Sequence, residues 1–176
     1  MVITDLYDHV IDEKNRLAIP TQIRNAMDPQ VDGTAFYLVP EIRYLQLIPE
    51  NMFRRLAEKN PSGLFQSPAA AKAARYLFAN SPRLEPDKAG RVIIPDRFMA
   101  DSANALMLTQ SLLRREVTLV GVNDHVELWN RKALMAHMQE LVQDRSSFED
   151  TLHEKYGMPL PPPAHGADGN GESPAK

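Results

Sequence analysis

Two short stretches carry the same charged residues in the same order, DEKNR from Asp12 to Arg16 and DKAGR from Asp87 to Arg91. In each, an aspartate precedes an arginine by four positions, a lysine lies between them, and Asn15 or Gly90 stands directly before the arginine. An aspartate so placed can accept backbone N–H bonds across a tight turn. Glycine adopts a left-handed backbone freely, and asparagine tolerates it better than most residues. These properties account for Asp12, Asn15, Asp87 and Gly90 as loop-orienting residues. They leave Arg16 and Arg91 unexplained, because each begins a run of strand character where a β-branched residue would serve a sheet better. On one reading each arginine is simply the partner of its own aspartate in a weak, exposed ion pair. On the other, each turn is a rigid probe that projects a guanidinium, with Lys14 or Lys88 beside it, toward phosphate groups and the O6/N7 edge of guanine.

Other chemistries fit these residues less well. Two aspartates from duplicated segments could form an acid/base pair, but each has a lysine within two residues and an arginine four residues on, which should keep both ionised. No glycine-rich phosphate loop, H-E-x-x-H or nucleophile elbow occurs. The five histidines, at positions 9, 125, 137, 153 and 165, lack metal-ligand spacing. The chain reads as a non-enzyme that needs no cofactor or metal.

The elements around the turns follow a common plan. RLAIP and RVIIP each give a short strand ended by proline. TQIRNAM follows the first as a short helix with Ile23 and Met27 on one face and Pro20 in its first turn. DRFMADSA follows the second, with Phe98 in the place of Ile23. The motif recurs at a shift of 75 positions. Farther on, Leu38, Val39, Leu45 and Leu47 answer Leu119, Val120, Val126 and Leu128 at a shift of 81. About six extra residues therefore lie within Ser102 to Arg115, a mild cost for a surface loop. In HVELW, Val126 and Leu128 should face one way and His125, Glu127 and Trp129 the other. Asn130 caps a helix with an apolar stripe of Leu134, Met135, Met138, Leu141 and Val142. Ser146 and Glu149 fit a capping box for a last helix through Leu152 to Tyr156. PENMFRRLAEKN and PAAAKAARYLFAN read as two helices separated by the breaker PSG.

The 176 residues, 43% of them apolar, suffice for one good core or two intertwined halves. There is no cysteine, no signal-peptide order at the N-terminus and no apolar run of membrane-spanning length. A cytoplasmic protein is expected. Its net charge of −3 runs against a nucleic-acid binder, although net charge says little about one face. From Gly157 onward the chain is rich in proline and glycine and reads as a disordered tail, extended through Pro161 to Pro163. The expected fold is α+β with a mostly β core. Its expected organisation is a first copy over 1–60, a connecting helical segment over 61–80, a second copy with C-terminal helices over 81–156, and the tail over 157–176.

Taken together, YDHVIDEKNRLAIPTQIR, RYLFANS, DKAGRVIIP and LVGVNDHVELWNR resemble the MraZ family of bacterial transcriptional regulators, over Tyr7 to about His137. The resemblance implies a compact barrel built from two AbrB-like swapped hairpins, and ring-shaped homo-oligomers. It implies binding to double-stranded DNA at short direct repeats upstream of the division and cell-wall gene cluster, and hence a nucleoid-associated location. The family's D-x-x-x-R motif maps onto Asp12 with Arg16 and Asp87 with Arg91. Arg24 matches a common family position and joins Lys14, Arg16, Lys88 and Arg91 as a DNA-contacting candidate, against a reading as a solvated helix charge. Asn15 stands where the family usually has glycine, which predicts a stiffer or slightly displaced first turn. Because Lys88 is followed by Ala89, the two turns should not read DNA identically. Two alternatives remain open: a ring-forming protein-interaction scaffold, and an AbrB-like antitoxin. Subunit number, operator sequence, the sign of regulation, the tail and Arg75 are not legible at this level.

Overall fold

The computed structural model describes residues 1–59, 67–105 and 112–158. They divide into two compact units, Met1–Ala136 and His137–Lys176. Eight strands lie in the first unit: β1 (Leu6–Val10), β2 (Arg16–Ala18), β3 (Phe36–Pro40), β4 (Leu45–Pro49), β5 (Arg83–Leu84), β6 (Arg91–Ile93), β7 (Glu116–Val122) and β8 (His125–Asn130). The helices are α1 (Thr21–Ala26), α2 (Glu50–Glu58), α3 (Pro68–Ala79), α4 (Arg131–Gln143) and α5 (Arg145–Tyr156). The fold is α+β, as expected.

All named strand pairs are antiparallel, in a six-stranded sheet ordered β1-β7-β8-β4-β3-β5 and a separate two-stranded ribbon of β2 and β6. Hydrogen bonding between the described strands therefore leaves β1 and β5 as edges and does not close one ring. β1 pairs with β7 across more than a hundred residues, and β5 returns to β3. The ladder is centred on residues that the sequence shifts relate. Gln46 faces Glu127 in the β4–β8 pair, and Leu17 faces Val92 in the ribbon. Likewise Asp8 faces Thr118, and at the related place Arg83 faces Tyr37.

Alternation puts the apolar residues where the sequence pattern asks. Leu38, Leu45, Leu47, Leu119, Val126 and Leu128 join Leu17, Ile23, Val92 and Phe98 in one core. Val39, Ile48 and Phe53 form a second cluster under α2. The opposite face of β8 is not simply solvated. Trp129 is buried, stacks on Tyr44 at 4.7 Å and donates its indole N–H to Glu127.

Several local expectations shift. Pro20 sits just before α1, and Met27 just after it. DRFMADSA forms only a three-residue 3-10 turn, Asp96–Phe98, although Phe98 is buried as expected. Asn130 does cap α4, accepting from the N–H groups of Lys132 and Ala133. Of the stripe on that helix, however, only Leu134 is buried, and Met135, Met138 and Val142 are exposed. The helix α5 begins at Arg145 with Asp144 at the cap position, two residues before Ser146, the expected cap. Gly157, read as the start of the tail, takes a left-handed conformation and ends α5. The breaker PSG and the tail segment Pro161 to Pro163 lie outside the described residues, as does part of the stretch assigned the extra six.

Candidate functional site

The two D-x-x-x-R turns have the same internal wiring. Asp12 Oδ1 accepts from the backbone N–H of Lys14 and of Arg16, each at 2.9 Å. Asp87 Oδ1 accepts from Ala89 and Arg91 at the same distances. Backbone bonds close each loop, Asn15 N–H to Asp12 C=O at 2.9 Å and Gly90 N–H to Asp87 C=O at 2.8 Å. Asn15 lies at φ 57° and Gly90 at φ 75°. Asparagine thus takes the left-handed place that glycine takes in the other turn, and the hydrogen bonds do not change. The expected displacement of the first turn is not seen in this bonding.

Each aspartate then holds its arginine. Arg16 Nε donates to Asp12 Oδ2 at 2.7 Å, and Arg91 Nε to Asp87 Oδ2 at 2.9 Å. Backbone N–H donation from Arg16, joined by its side chain and by the Lys14 N–H, holds the Asp12 carboxyl below its usual range. Asp87 is lowered in the same way, by the Arg91 backbone N–H and then its guanidinium. Both aspartates are held ionised by the arginine four residues on, as expected, but not by the charge of the neighbouring lysine. The lysine ammonium groups are not involved; Lys14 and Lys88 are exposed, with no side-chain partner among the described residues.

The ribbon arranges these turns at its opposite ends. Arg16 faces Ile93, Leu17 faces Val92 and Ala18 faces Arg91. Leu17 and Val92 point into the core, so the alternate residues Arg16, Ala18, Arg91 and Ile93 share the outer face. Diagonal neighbours in such a pair lie about 7–8 Å apart, which brings Arg16 and Arg91 onto one small patch. Their side chains keep 33% and 39% exposure. Because Nε is the atom tied to Asp12, the terminal amino groups of Arg16 remain to meet a ligand end-on.

Each turn is also braced by an arginine from the other half of the chain. Arg24, on α1, donates from Nε to Ile19 C=O at 3.2 Å and from Nη2 to Thr21 Oγ1 at 3.0 Å. Its side chain packs against Gly90, where an added Cβ would come within 2.6 Å of Arg24 Nε. Arg24 is therefore not a freely solvated helix charge. At the first turn, Arg115 Nη1 donates to Asp12 C=O at 2.6 Å and to Asn15 Oδ1 at 2.8 Å. Backbone bonds cross as well, from Ile19 N–H to Gly90 C=O at 2.9 Å and from Ile94 N–H to Asn15 C=O at 2.8 Å. The sequence pattern missed Arg115, because it falls in the stretch that reads as extra loop. The signal was the Arg114–Arg115 doublet directly before a strand.

Among the described residues there is no cluster of three or more His, Asp or Glu that could hold a metal, and no helix long and apolar enough to cross a membrane. Comparison with known proteins gives a consistent result. The MraZ family model, described as "MraZ protein, putative antitoxin-like", matches residues 77–154. A protein of Thermomicrobium roseum named "Transcriptional regulator MraZ" is 32% identical over 146 residues, covering 83% of this chain and 94% of its own length. Proteins of the same name from Mycoplasmoides gallisepticum and Pediococcus pentosaceus are 33% and 28% identical, over 72% and 84% of this chain and 80% and 92% of their own. With the paired turns and their arginines in place and this extent of similarity, the chain belongs to the MraZ family.

Proposed function

We propose that this protein is a DNA-binding transcriptional regulator, and not an enzyme, that reads duplex DNA with the outer face of the β2–β6 ribbon. The observation that carries the reading is the pair of aspartate-anchored arginines, Arg16 and Arg91, held partly exposed on one patch by turns of the same backbone wiring. A two-stranded ribbon fits the major groove, and an arginine presenting two N–H groups discriminates guanine there. Lys14 and Lys88 add phosphate contacts, and Arg24 holds the second turn while keeping its outer edge available. Asp12, Asn15, Asp87 and Gly90 orient the loops. The names of the relatives support the regulatory role.

The proposal includes two AbrB-like copies over 1–60 and 81–156, joined by the helical segment 61–80 and followed by the tail 157–176. It further includes a ring-shaped homo-oligomer that binds direct repeats upstream of its own gene, in the division and cell-wall cluster. Such an assembly works in the cytoplasm, on the nucleoid. A chain of net charge −3 offers few cations, and so few phosphate contacts are feeble at physiological salt. Repeating the patch around a ring and along the DNA raises the effective concentration of each contact.

The test is a band-shift titration of DNA from upstream of the protein's own gene at two salt concentrations. Arg16→Ala or Arg91→Ala should each weaken specific binding by about 1–3 kcal/mol and relax specificity. Retention of full DNA binding by both variants together with loss of the oligomer would instead favour the interaction scaffold.

A further inference from the structure

Beside the first turn lies an open cationic notch that the reading of the ribbon does not use. Two adjoining concavities, of about 200 and 240 Å³, share Arg114 and Arg115 in their walls. Arg131 and Lys132, at the start of α4, line the larger one. Resting on the DNA-binding role proposed above, we infer that this notch is a second contact site for the phosphodiester backbone of DNA, next to the first turn.

The related place in the other half is filled differently. At the shift of 81, Arg114, Arg115, Arg131 and Lys132 correspond to Gly33, Thr34, Glu50 and Asn51. There the chain supplies its own anion. The Glu50 carboxylate accepts from Arg83 Nε at 3.0 Å, from Arg54 Nη2 at 2.8 Å and from the Thr34 N–H. A side chain at Gly33 would be strained by its φ of 86° and would crowd Glu50, whose Cβ would lie 3.0 Å from the added Cβ. In the second half Arg131 stands in the place of Glu50, Asp8 in the place of Arg83, and two arginines replace Gly33 and Thr34. The buried Glu50 carboxylate has thus given way to a guanidinium, and four cations, Arg114, Arg115, Arg131 and Lys132, outnumber the acids Asp8, Asp101 and Glu116 around them.

The acids facing the notch do not fill it. Arg131 Nε lies 3.3 Å from Asp8 Oδ1 without hydrogen-bond geometry, and it is buried with no hydrogen-bond partner. Asp8 Oδ1 already accepts from Thr118 Oγ1 at 2.5 Å. Arg131 Nη1 reaches Glu116 only at 3.7 Å, and Arg115 Nη2 reaches Asp101 only at 3.5 Å, both partly exposed pairs of little strength. Arg114 and Lys132 are exposed and have no side-chain partner among the described residues. The end of α4 is not itself the attraction, since Asn130 already caps it.

Continuity with the first turn favours DNA over another anion. Arg115 lines both concavities and hydrogen-bonds to Asp12 and Asn15, so the wall of the notch is also the brace of the first reading turn. A duplex seated on that turn brings its backbone to the notch. The second turn has no such neighbour, because Glu50 and its arginines occupy the related position. DNA should therefore be gripped more extensively at the first turn than at the second.

The test compares the full-length protein with the double variant Arg114→Gln/Lys132→Gln, whose two side chains brace nothing. Binding is titrated between about 50 and 200 mM salt against a duplex from upstream of the protein's own gene and an unrelated duplex of equal length. The variant should bind both duplexes more weakly by a similar factor, and the slope of log K against log salt should fall by up to about 1.8, at about 0.9 per lost phosphate contact. Arg114→Lys should keep the slope. An unchanged slope in the double variant, while the parent protein binds, overturns the notch and leaves the ribbon reading standing. A changed oligomeric state with an unchanged slope also overturns it, in favour of a contact between copies. Failure of the parent protein to bind either duplex removes both this proposal and the function on which it rests.

Discussion

Where the helix after the β3–β4 hairpin begins, the chain places Glu50; at the matching point after β7–β8 it places Arg131. Each meets an opposite charge from the sheet edge, Arg83 on β5 in one case and Asp8 on β1 in the other. The ion pair is kept and its sign is exchanged. That exchange is not neutral. A carboxylate at a helix N-terminus is favoured by the peptide dipoles, and a guanidinium there is not. Accordingly α2 starts after Pro49 with no side-chain cap, whereas α4 needs the Asn130 cap. The first half uses the position for stability and the second half leaves it electropositive. A shared backbone plan with diverged polar residues lets one half be locked and the other stay open to a ligand.

Substitutions can probe how far the two halves are interchangeable. The largest effect is expected in the core, where Leu47 and Leu128 occupy matching buried sites. Leu47→Ala and Leu128→Ala should each cost about 2–5 kcal/mol in urea denaturation, and by similar amounts. A strong inequality would break the equivalence of the halves at its foundation.

Next comes the exchanged ion pair. Glu50→Ala should cost about 2 kcal/mol, because it removes charge-assisted bonds from a buried carboxylate. Arg131→Met should cost less than about 1 kcal/mol, since its pairs are longer and more exposed. Equal losses in a denaturation series would mean that the second half is locked as tightly as the first.

The turns should differ more modestly. Gly90→Ala forces a side chain into a left-handed backbone and against Arg24, at a cost of about 1–2 kcal/mol. Asn15→Gly relieves the backbone but loses the bond to Arg115, so the net change in thermal unfolding should stay below about 1 kcal/mol.

The smallest expected effect is on pH dependence. Asp12 and Asp87 have carboxyl pKa values lowered in the folded state from the ordinary 3.8. Their ionised forms therefore stabilise the fold fully above about pH 4, and that contribution fades as pH falls through the lower folded-state values. Asp12→Asn/Asp87→Asn should flatten this part of the acid limb in a Tm-versus-pH series while leaving the part due to Glu50, which is also held low by Arg83. An acid limb unchanged by the double variant would show that the turn carboxylates do not contribute to it.

Much of this was readable in advance. The turn at Asp87 to Arg91 follows from glycine and aspartate chemistry within five residues, and the structure has the expected bonds. The alternation of Val126 and Leu128 marked their side of β8 correctly, for the same local reason. Trp129 likewise lies with Glu127 on the opposite face, as alternation requires, but alternation says which residues share a face, not what covers that face; here Tyr44 does. The helix stripe of Met135, Met138 and Val142 had the right period, yet these side chains are exposed among the described residues. Arg115 escaped because its partners, Asp12 and Asn15, are about a hundred residues away.

The sequence by itself determined the two aspartate-anchored turns, the order of short strands and helices, and the apolar positions of the core. These depend on backbone preferences and on periodicities that act over a few residues. Only the tertiary structure decided that the halves interlock through β1–β7 and β3–β5, that each turn is braced from the other half, and that one matching site holds a carboxylate while its counterpart stands open and cationic. Strand partners and charge partners are chosen by closeness in space, and a linear pattern carries no measure of that distance.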